Sequence, residues 1–194
     1  MERARHHGTV TTAAKTTLAA LLGALAIALA ARLTFPLPGT ELPQSAQTLA
    51  VLLVGAALGS RRGVLAVVFY VLAGALGLPV FADGASGLET LLGPSGGYLF
   101  GFGCAAAWVG YFADAQRLAR PWWGALGVML GAHALILLSG GFGLAVRLGG
   151  MQAWSVGVAP FLLGGAVKSV LAATLVVATH KRLPPRDATT PSAS

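Results

Sequence analysis

Lys168 is the residue whose position most constrains what this chain can do. It stands roughly eight residues inside an apolar run at about 159 to 180, a depth of about a dozen ångströms at 1.5 Å per residue. A charge buried that deep in lipid costs about 2.5 to 3.5 kcal/mol on insertion scales, so it needs a partner. Among the six acidic residues only Asp114 falls within an apolar run, at its far end, so the sequence supplies no internal counter-ion. An anionic ligand is the simplest partner. Gly164 and Gly165, at i−4 and i−3 on the same helical face, leave room for a carboxylate beside the ammonium. The competing reading is a lysine that snorkels to the outer headgroups.

A second chemical candidate is Gly93-Pro94-Ser95-Gly96-Gly97-Tyr98. Its first five residues fit the G-x-S-x-G elbow of serine hydrolases, with His133 as the conceivable base. That elbow needs a preceding strand and an acid to orient the histidine, and neither is present, so hydrolysis is rejected. The Lys and Ser/Thr of a phosphate-binding P-loop are also missing. What remains is a glycine-rich helix start whose bare amides and Tyr98 ring face a cavity, or else a Tyr98 that belongs to the interfacial aromatic belt. The loop Pro79 to Gly87 joins small residues to polar tips at Asp83 and Ser86, with Gly84 between them. It reads as a cover over an outward-facing site or as an ordinary solvated connection. Phe35 to Gln44 holds three prolines and takes a stiff path, and Gln47 follows where the next helix begins. Ala20, Ala24 and Ala28 recur every four residues, a flat stripe suited to close helix docking or a chance product of an Ala-rich chain.

The elements that must hold these residues are set by composition. Of 194 residues 56% are apolar and 10% charged, against about 25% charged in soluble proteins. Mean hydropathy is +0.76. There is too little charge to coat a water-facing surface, so the excess apolar side chains face lipid. The runs are long and Leu/Ala-rich without ten-residue alternation, which predicts helices rather than a barrel. Six spans are expected, at about 17–35, 45–60, 63–80, 97–115, 121–140 and 159–180. With a cytoplasmic N-terminus, ten of the thirteen basic residues lie on the cytoplasmic side: Arg3, Arg5, Lys15, Arg61, Arg62, Arg117, Arg120, Lys181, Arg182 and Arg186. Arg32 and Arg147 lie outside with Glu41, Asp83 and Glu89. The positive-inside rule therefore puts both termini in the cytoplasm. The net charge of +7 is explained by topology, and nucleic-acid binding loses its support. Residues 1–183 are expected to form one transmembrane domain, and the polar 184–194 a disordered cytoplasmic tail. Cys104 is the only cysteine, which excludes an intramolecular disulfide and a Cys-based zinc site. The first span, with small residues at Ala28-Leu29-Ala30, also has the look of a cleavable signal peptide. Cleavage would leave five spans and break the charge pattern.

Several ordered stretches then become informative together: Ala31 to Thr40, Gln47 to Leu52, Leu58-Gly59-Ser60-Arg61-Arg62-Gly63, Gly77-Leu78-Pro79-Val80-Phe81 and Leu92 to Tyr98, resuming at Pro160 to Lys168. In this the chain closely resembles the BioY family, the biotin-specific substrate-binding (S) components of energy-coupling factor (ECF) transporters. The resemblance implies a non-enzymatic, six-helix protein of the cell membrane that binds biotin in an outward-open pocket and needs no cofactor. It implies as partners one transmembrane coupling protein and two ATP-hydrolysing subunits, in keeping with the lack of a Walker motif here. A variant of this reading is a solitary transporter that works as a homo-oligomer. From another class, a structural membrane protein would bind no biotin. By resemblance Lys168 reaches the substrate, Tyr98 and the loop of Asp83, Gly84 and Ser86 close the site with Gln47 nearby, and Ala20, Ala24 and Ala28 meet the coupling protein. Two departures stand out. Leu163-Gly164-Gly165-Ala166-Val167-Lys168 replaces a usual Pro-Gly-Asp-x-x-Lys, so Gly165 takes the place of an acid, and Ala85 stands where relatives can carry asparagine.

Overall fold

A computed structural model describes residues 2–35, 42, 44–118 and 121–180. Most of the Pro-rich first loop, Arg120, Lys181, Arg182, Arg186 and the tail 184–194 lie outside the described residues. The elements are α1 (Glu2–Ala31), β1 (Thr34–Phe35), β2 (Gln44–Ser45), α2 (Gln47–Ala75), a single 3-10 turn (Ala82–Gly84), α3 (Gly87–Leu92), α4 (Gly96–Asp114), α5 (Trp122–Leu148), α6 (Gly150–Ala153), a π-helical turn (Trp154–Val158) and α7 (Ala159–His180). Among the described residues the regular structure is helical apart from β1 and β2, which pair antiparallel with Thr34 opposite Ser45. Among the described residues, four helical stretches are long and apolar enough to cross a membrane: Ala13–Ala31, Gln47–Ala75, Trp122–Leu148 and Gly150–Thr179.

The second of these contains the two short spans expected at 45–60 and 63–80. Gly59 interrupts it with φ 78° and ψ 177°, a backbone conformation that a Cβ disfavours. The chain turns back on itself there, because a Cβ on Gly63 would lie 3.2 Å from the Cα of Gly55, whereas eight residues of straight helix span about 12 Å. The new helical segment begins with an unpaired amide, and Asp114 supplies the acceptor: Ser60 N–H donates to Asp114 Oδ2 at 2.9 Å. A carboxylate at a helix start satisfies an orphan donor and complements the dipole. This accounts for the one acid within an apolar run, which serves the turn; among the described residues Lys168 has no acidic partner.

Around that hairpin α1 packs on α2, α4 fits between α2 and α5, and α7 closes against α5. The core is built from small residues, Ala66, Ala105, Ala106, Ala125, Ala132, Ala172 and Ala173 among them, with Val51, Leu52, Val109 and Met129 filling between. Large side chains point outward instead, such as Leu18, Leu25 and Leu29 on α1, Phe100 on α4, Leu138 and Phe142 on α5 and Leu163 on α7. This inversion of a soluble protein's pattern is what lipid as solvent requires: backbones approach through small residues and bulky apolar groups meet acyl chains.

The alanine stripe of α1 packs within the chain. Ala20 is 0% exposed, Ala24 9%, and Ala28 packs against the same core, so these residues lie on the inward side of the helix. The physical reason is the close approach itself. A Cβ on Gly23 would sit 2.8 Å from Ala66 Cβ, with Leu58 and Val54 at 3.1 Å. Gly23→Val is therefore expected to lower stability by about 1 to 3 kcal/mol through overpacking, while Ala26→Val, on the exposed face of the same helix, leaves it unchanged. Thermal unfolding of the detergent-solubilised variants measures the difference, and equal melting temperatures would show that α1 does not pack closely here.

Candidate functional site

The site begins where α2 begins. Ser45 Oγ donates to Gln47 Oε1 at 2.9 Å and accepts the Gln47 amide at 3.3 Å. The side-chain amide of Gln47 in turn donates to the Tyr70 hydroxyl. Tyr70 lies 23 residues away and is brought alongside by the reversal at Gly59. Its ring meets Phe81 edge to face at 5.5 Å, and Phe81 occupies the space that a side chain on Gly74 would need. A buried polar chain of this kind, each member satisfied by the next, fixes the rotamer of Gln47.

From α7, Lys168 donates from Nζ to the Ser45 carbonyl at 2.7 Å. Helical side chains lean toward the N-terminus of their helix, so its stem runs over the turn formed by Gly164 and Gly165. Gln44 fills the space above Gly164. His133 of α5 stands beside Gly165, its Cδ2 3.3 Å from where a Cβ would be, and its Nδ1 is 2.8 Å from Ser169 Oγ. From α4, Tyr98 lays its ring on Gly140 and donates its hydroxyl to the Gly157 carbonyl at 2.6 Å. That carbonyl belongs to the π-helical turn, and π turns recur at functional sites. Phe161 lies tilted against the Tyr98 ring at 6.3 Å.

Between these groups lies a cavity of about 640 Å³, its open mouth included. Gln47, Thr48, Tyr98, Phe102, Ile136, Phe161 and Lys168 are among its walls. Gln44, Thr48 and His133 also line it, and Gln44 Nε2, Thr48 Oγ1 and His133 Nε2 are buried with no hydrogen-bond partner among the described residues. Buried polar atoms are rarely left unpaired, so this wall offers donors and acceptors to a ligand, with one ammonium among them and apolar rings opposite.

The sequence model of the BioY family matches residues 3–185. The chain belongs to the BioY family. It is 38% identical to the biotin transporter BioY of Thermotoga maritima over 75% of this chain and 85% of that one. With the biotin transporter BioY of Rhizobium etli it shares 32% identity over 87% and 96% of the two chains. The fold matches a crystal structure, at 2.1 Å, of the S-component for biotin from an ECF-type ABC transporter, with a TM-score of 0.78 and 22% identity, over 89% of this chain and 94% of the other.

In this BioY chain, Lys168, Tyr98, Gln47 and Gly165, anticipated from sequence, all line one cavity. Asp83, Gly84 and Ser86 stand apart from its wall, where their loop contributes Ala82 instead. Asp83 Oδ1 accepts from Thr34 Oγ1 at 2.6 Å, Arg32 donates to the Pro79 carbonyl and lies beside Gly84, and the Ser86 carbonyl accepts from Thr90 Oγ1 at 3.0 Å. Asp83 and Arg32 thus tie the loop to the end of α1. Ser95 and His133, weighed only as a hydrolase pair, both border the cavity, yet the partner of His133 Nδ1 is Ser169. Gln44, Thr48, Phe102, Ile136 and Phe161 were not anticipated. Helical spacing carried a signal for several of them: Phe161, Gly165 and Lys168 follow at i, i+4 and i+7, Tyr98 and Phe102 at i and i+4.

Proposed function

We propose that this chain is the biotin-capturing S-component of an ECF-type vitamin uptake transporter. The observation that carries the reading is the cavity with Lys168 at one end and unpaired polar atoms along its wall, in a chain whose relatives are named biotin transporters. Biotin is a fused bicycle with a ureido ring and a five-carbon acid tail. Lys168, with two N–H groups left after its bond to Ser45, neutralises the carboxylate over the bare backbone of Gly165. Tyr98, Phe102 and Phe161 sandwich the apolar part of the bicycle, and Gln47 and Thr48 meet the ureido group. The loop of Asp83, Gly84 and Ser86 forms the rim. Calorimetry with biotin on the purified, detergent-solubilised chain is expected to show saturable, one-site binding. An absence of heat and of competition by biotin would leave a membrane protein without this ligand and overturn the reading.

The same reading has six crossings in the cell membrane: α1, the two halves of α2 on either side of Gly59, α4, α5, and α6 with α7. Both termini are cytoplasmic and the cavity opens outward. Support comes from Arg61 and Arg62, which are exposed next to the Gly59 reversal, and from the packing of Ile27 and Ala31 of α1 into the core, as befits a retained helix rather than a cleaved signal. In a Cys104→Ser background, a cysteine at Ser86 should react with a membrane-impermeant reagent from outside and one at Arg117 should not. The opposite pattern would reverse the orientation. The sequence carries no Walker motif, so in this reading uptake depends on one coupling protein and two ATP-hydrolysing subunits, and the leucine-rich outer face of α1, in place of the inward Ala20, Ala24 and Ala28, is the part of that helix left for lipid or partner.

A further inference from the structure

The reading above leaves the chemistry of His133 unused. The residue is 5% exposed and sits in the middle of α5, in the otherwise apolar stretch Gly131-Ala132-His133-Ala134-Leu135-Ile136. Nδ1 is engaged by Ser169 Oγ at 2.8 Å, and Ser169 is itself 0% exposed. His133 borders the cavity, and its Nε2 is buried with no partner among the described residues. An imidazole so placed in a purely packing role leaves a polar atom unpaid by any hydrogen bond, which costs stability.

The place of the ring follows from Gly165. Cδ2, the ring carbon bonded to Nε2, lies 3.3 Å from the position of a Gly165 Cβ, so the imidazole flanks the same bare turn that Lys168 crosses on its way to the Ser45 carbonyl. Any larger side chain at 165 would press on the imidazole. A carboxylate over Gly165 therefore has an ammonium on one side and an imidazole edge on the other. Neutral imidazole carries one donor and one acceptor. An anion selects the form in which the Ser169 hydroxyl donates to Nδ1 and the ring proton stays on Nε2, aimed at the carboxylate oxygen.

We infer that His133 is a second ligand to the bound carboxylate, donating from Nε2, and that Ser169 is the positioning residue that sets its tautomer. This rests on the biotin reading and deepens it: two directed donors, one charged and one neutral, select an ionised acid tail over its neutral derivatives. A hydrogen bond from a neutral donor to a charged acceptor is strong enough that removing it should cost about tenfold or more in affinity.

The test compares biotin with biotinol, in which an alcohol replaces the carboxylate, on the full chain in detergent. His133→Phe is expected to weaken biotin by about tenfold or more and biotinol by at least fivefold less. His133→Gln, whose amide N–H stands near the Nε2 position, should recover most of the loss. Ser169→Ala should weaken biotin by a few-fold, with Ser169→Thr restoring it. Because His133→Phe places the same demand on folding with either ligand, and could fail to fold, the unmodified protein carrying 15N-labelled histidine supplies an independent reading. On saturation with biotin, NMR should show one buried histidine protonated at Nε2 and bare at Nδ1, and in Ser169→Ala a mixture of tautomers. Equal losses for biotin and biotinol, no loss for either, or a ring protonated at Nδ1 in the complex would each overturn the inference. If the unmodified chain takes up no biotin, the biotin reading itself falls, whereas uptake by the unmodified chain with any of those three results removes only the role of His133.

Discussion

Lys168→Met should lower biotin affinity by about 30-fold or more, because truncating one member of a desolvated charge pair costs about 2 to 5 kcal/mol. Methionine keeps most of the length and the apolar stem, so the loss is chiefly that of the charge. The half-buried ammonium already has a fixed direction, donating to the Ser45 carbonyl from a helix that crosses the cavity wall. It is pre-aimed, and little ordering remains to be done when the ligand arrives. Biotin amide should bind the unmodified chain poorly and lose little more in the variant, since the interaction under test is already gone. Calorimetric titration of both ligands against both proteins closes the cycle. If the variant binds biotin as well as the original, the carboxylate is held elsewhere. Arg32, just past the end of α1, is exposed and committed to the Pro79 carbonyl, so such a result would return attention to His133 and the polar start of α2.

Gly140→Val should abolish most biotin binding while damaging the fold only in part. The Tyr98 ring rests where a Cβ on Gly140 would go, and a Cβ on the neighbouring Gly97 would come within 3.1 Å of Gly140 Cα. Two helices touch here through backbone, and the aromatic wall of the site is seated in the gap. A valine at 140 evicts the ring, breaks its hydrogen bond to Gly157 and separates α4 from α5. Overpacking of this kind costs about 1 to 3 kcal/mol, and misplacing the ring should weaken biotin by about tenfold or more. Gly127→Val on the same helix is the control, since a Cβ there meets nothing within 4 Å. Its melting temperature and biotin affinity should match the unmodified protein. Tyr98→Phe separates ring from hydroxyl: it keeps the packing on Gly140 and loses only the bond to Gly157. Normal biotin binding by Gly140→Val would remove Tyr98 from the site.

These experiments probe two kinds of information that the chain carries differently. Apolar run length, the scarcity of charge and the separation of Arg61, Arg62 and Arg117 from Asp83 and Glu89 are local properties. They decide that the solvent is lipid and the secondary structure helical, because an isolated backbone in hydrocarbon must pair its own N–H and C=O groups whatever it packs against. Lys168 is legible for the same reason: the cost of a charge at depth depends on depth alone, so its oddity shows before any neighbour is known. The ordered motifs around Gly59-Ser60-Arg61-Arg62 and Gly93 to Tyr98 likewise mark the family without coordinates.

Which side of a helix faces which neighbour is a different matter, since in lipid both faces of a membrane helix are apolar and hydropathy no longer separates inside from outside. That is why the stripe of Ala20, Ala24 and Ala28 suits a partner helix as well as it suits the chain's own core, and only packing shows it turned inward beside Gly23, which lies against Ala66 and Leu58. The reversal at Gly59 shows as a short break between two apolar runs, but the pairing of Gln47 with Tyr70 across it, and the capping of Ser60 by Asp114, join residues far apart in sequence. The same holds for His133 and Ser169, 36 positions apart. Residue type and local spacing determined a helical membrane protein with one costly lysine. The assembly of α2, α4, α5 and α7 around that lysine, and the polar atoms turned toward it, were decided by tertiary structure, because close approach at glycines sets which distant side chains meet and periodicity along one helix carries no information about the next.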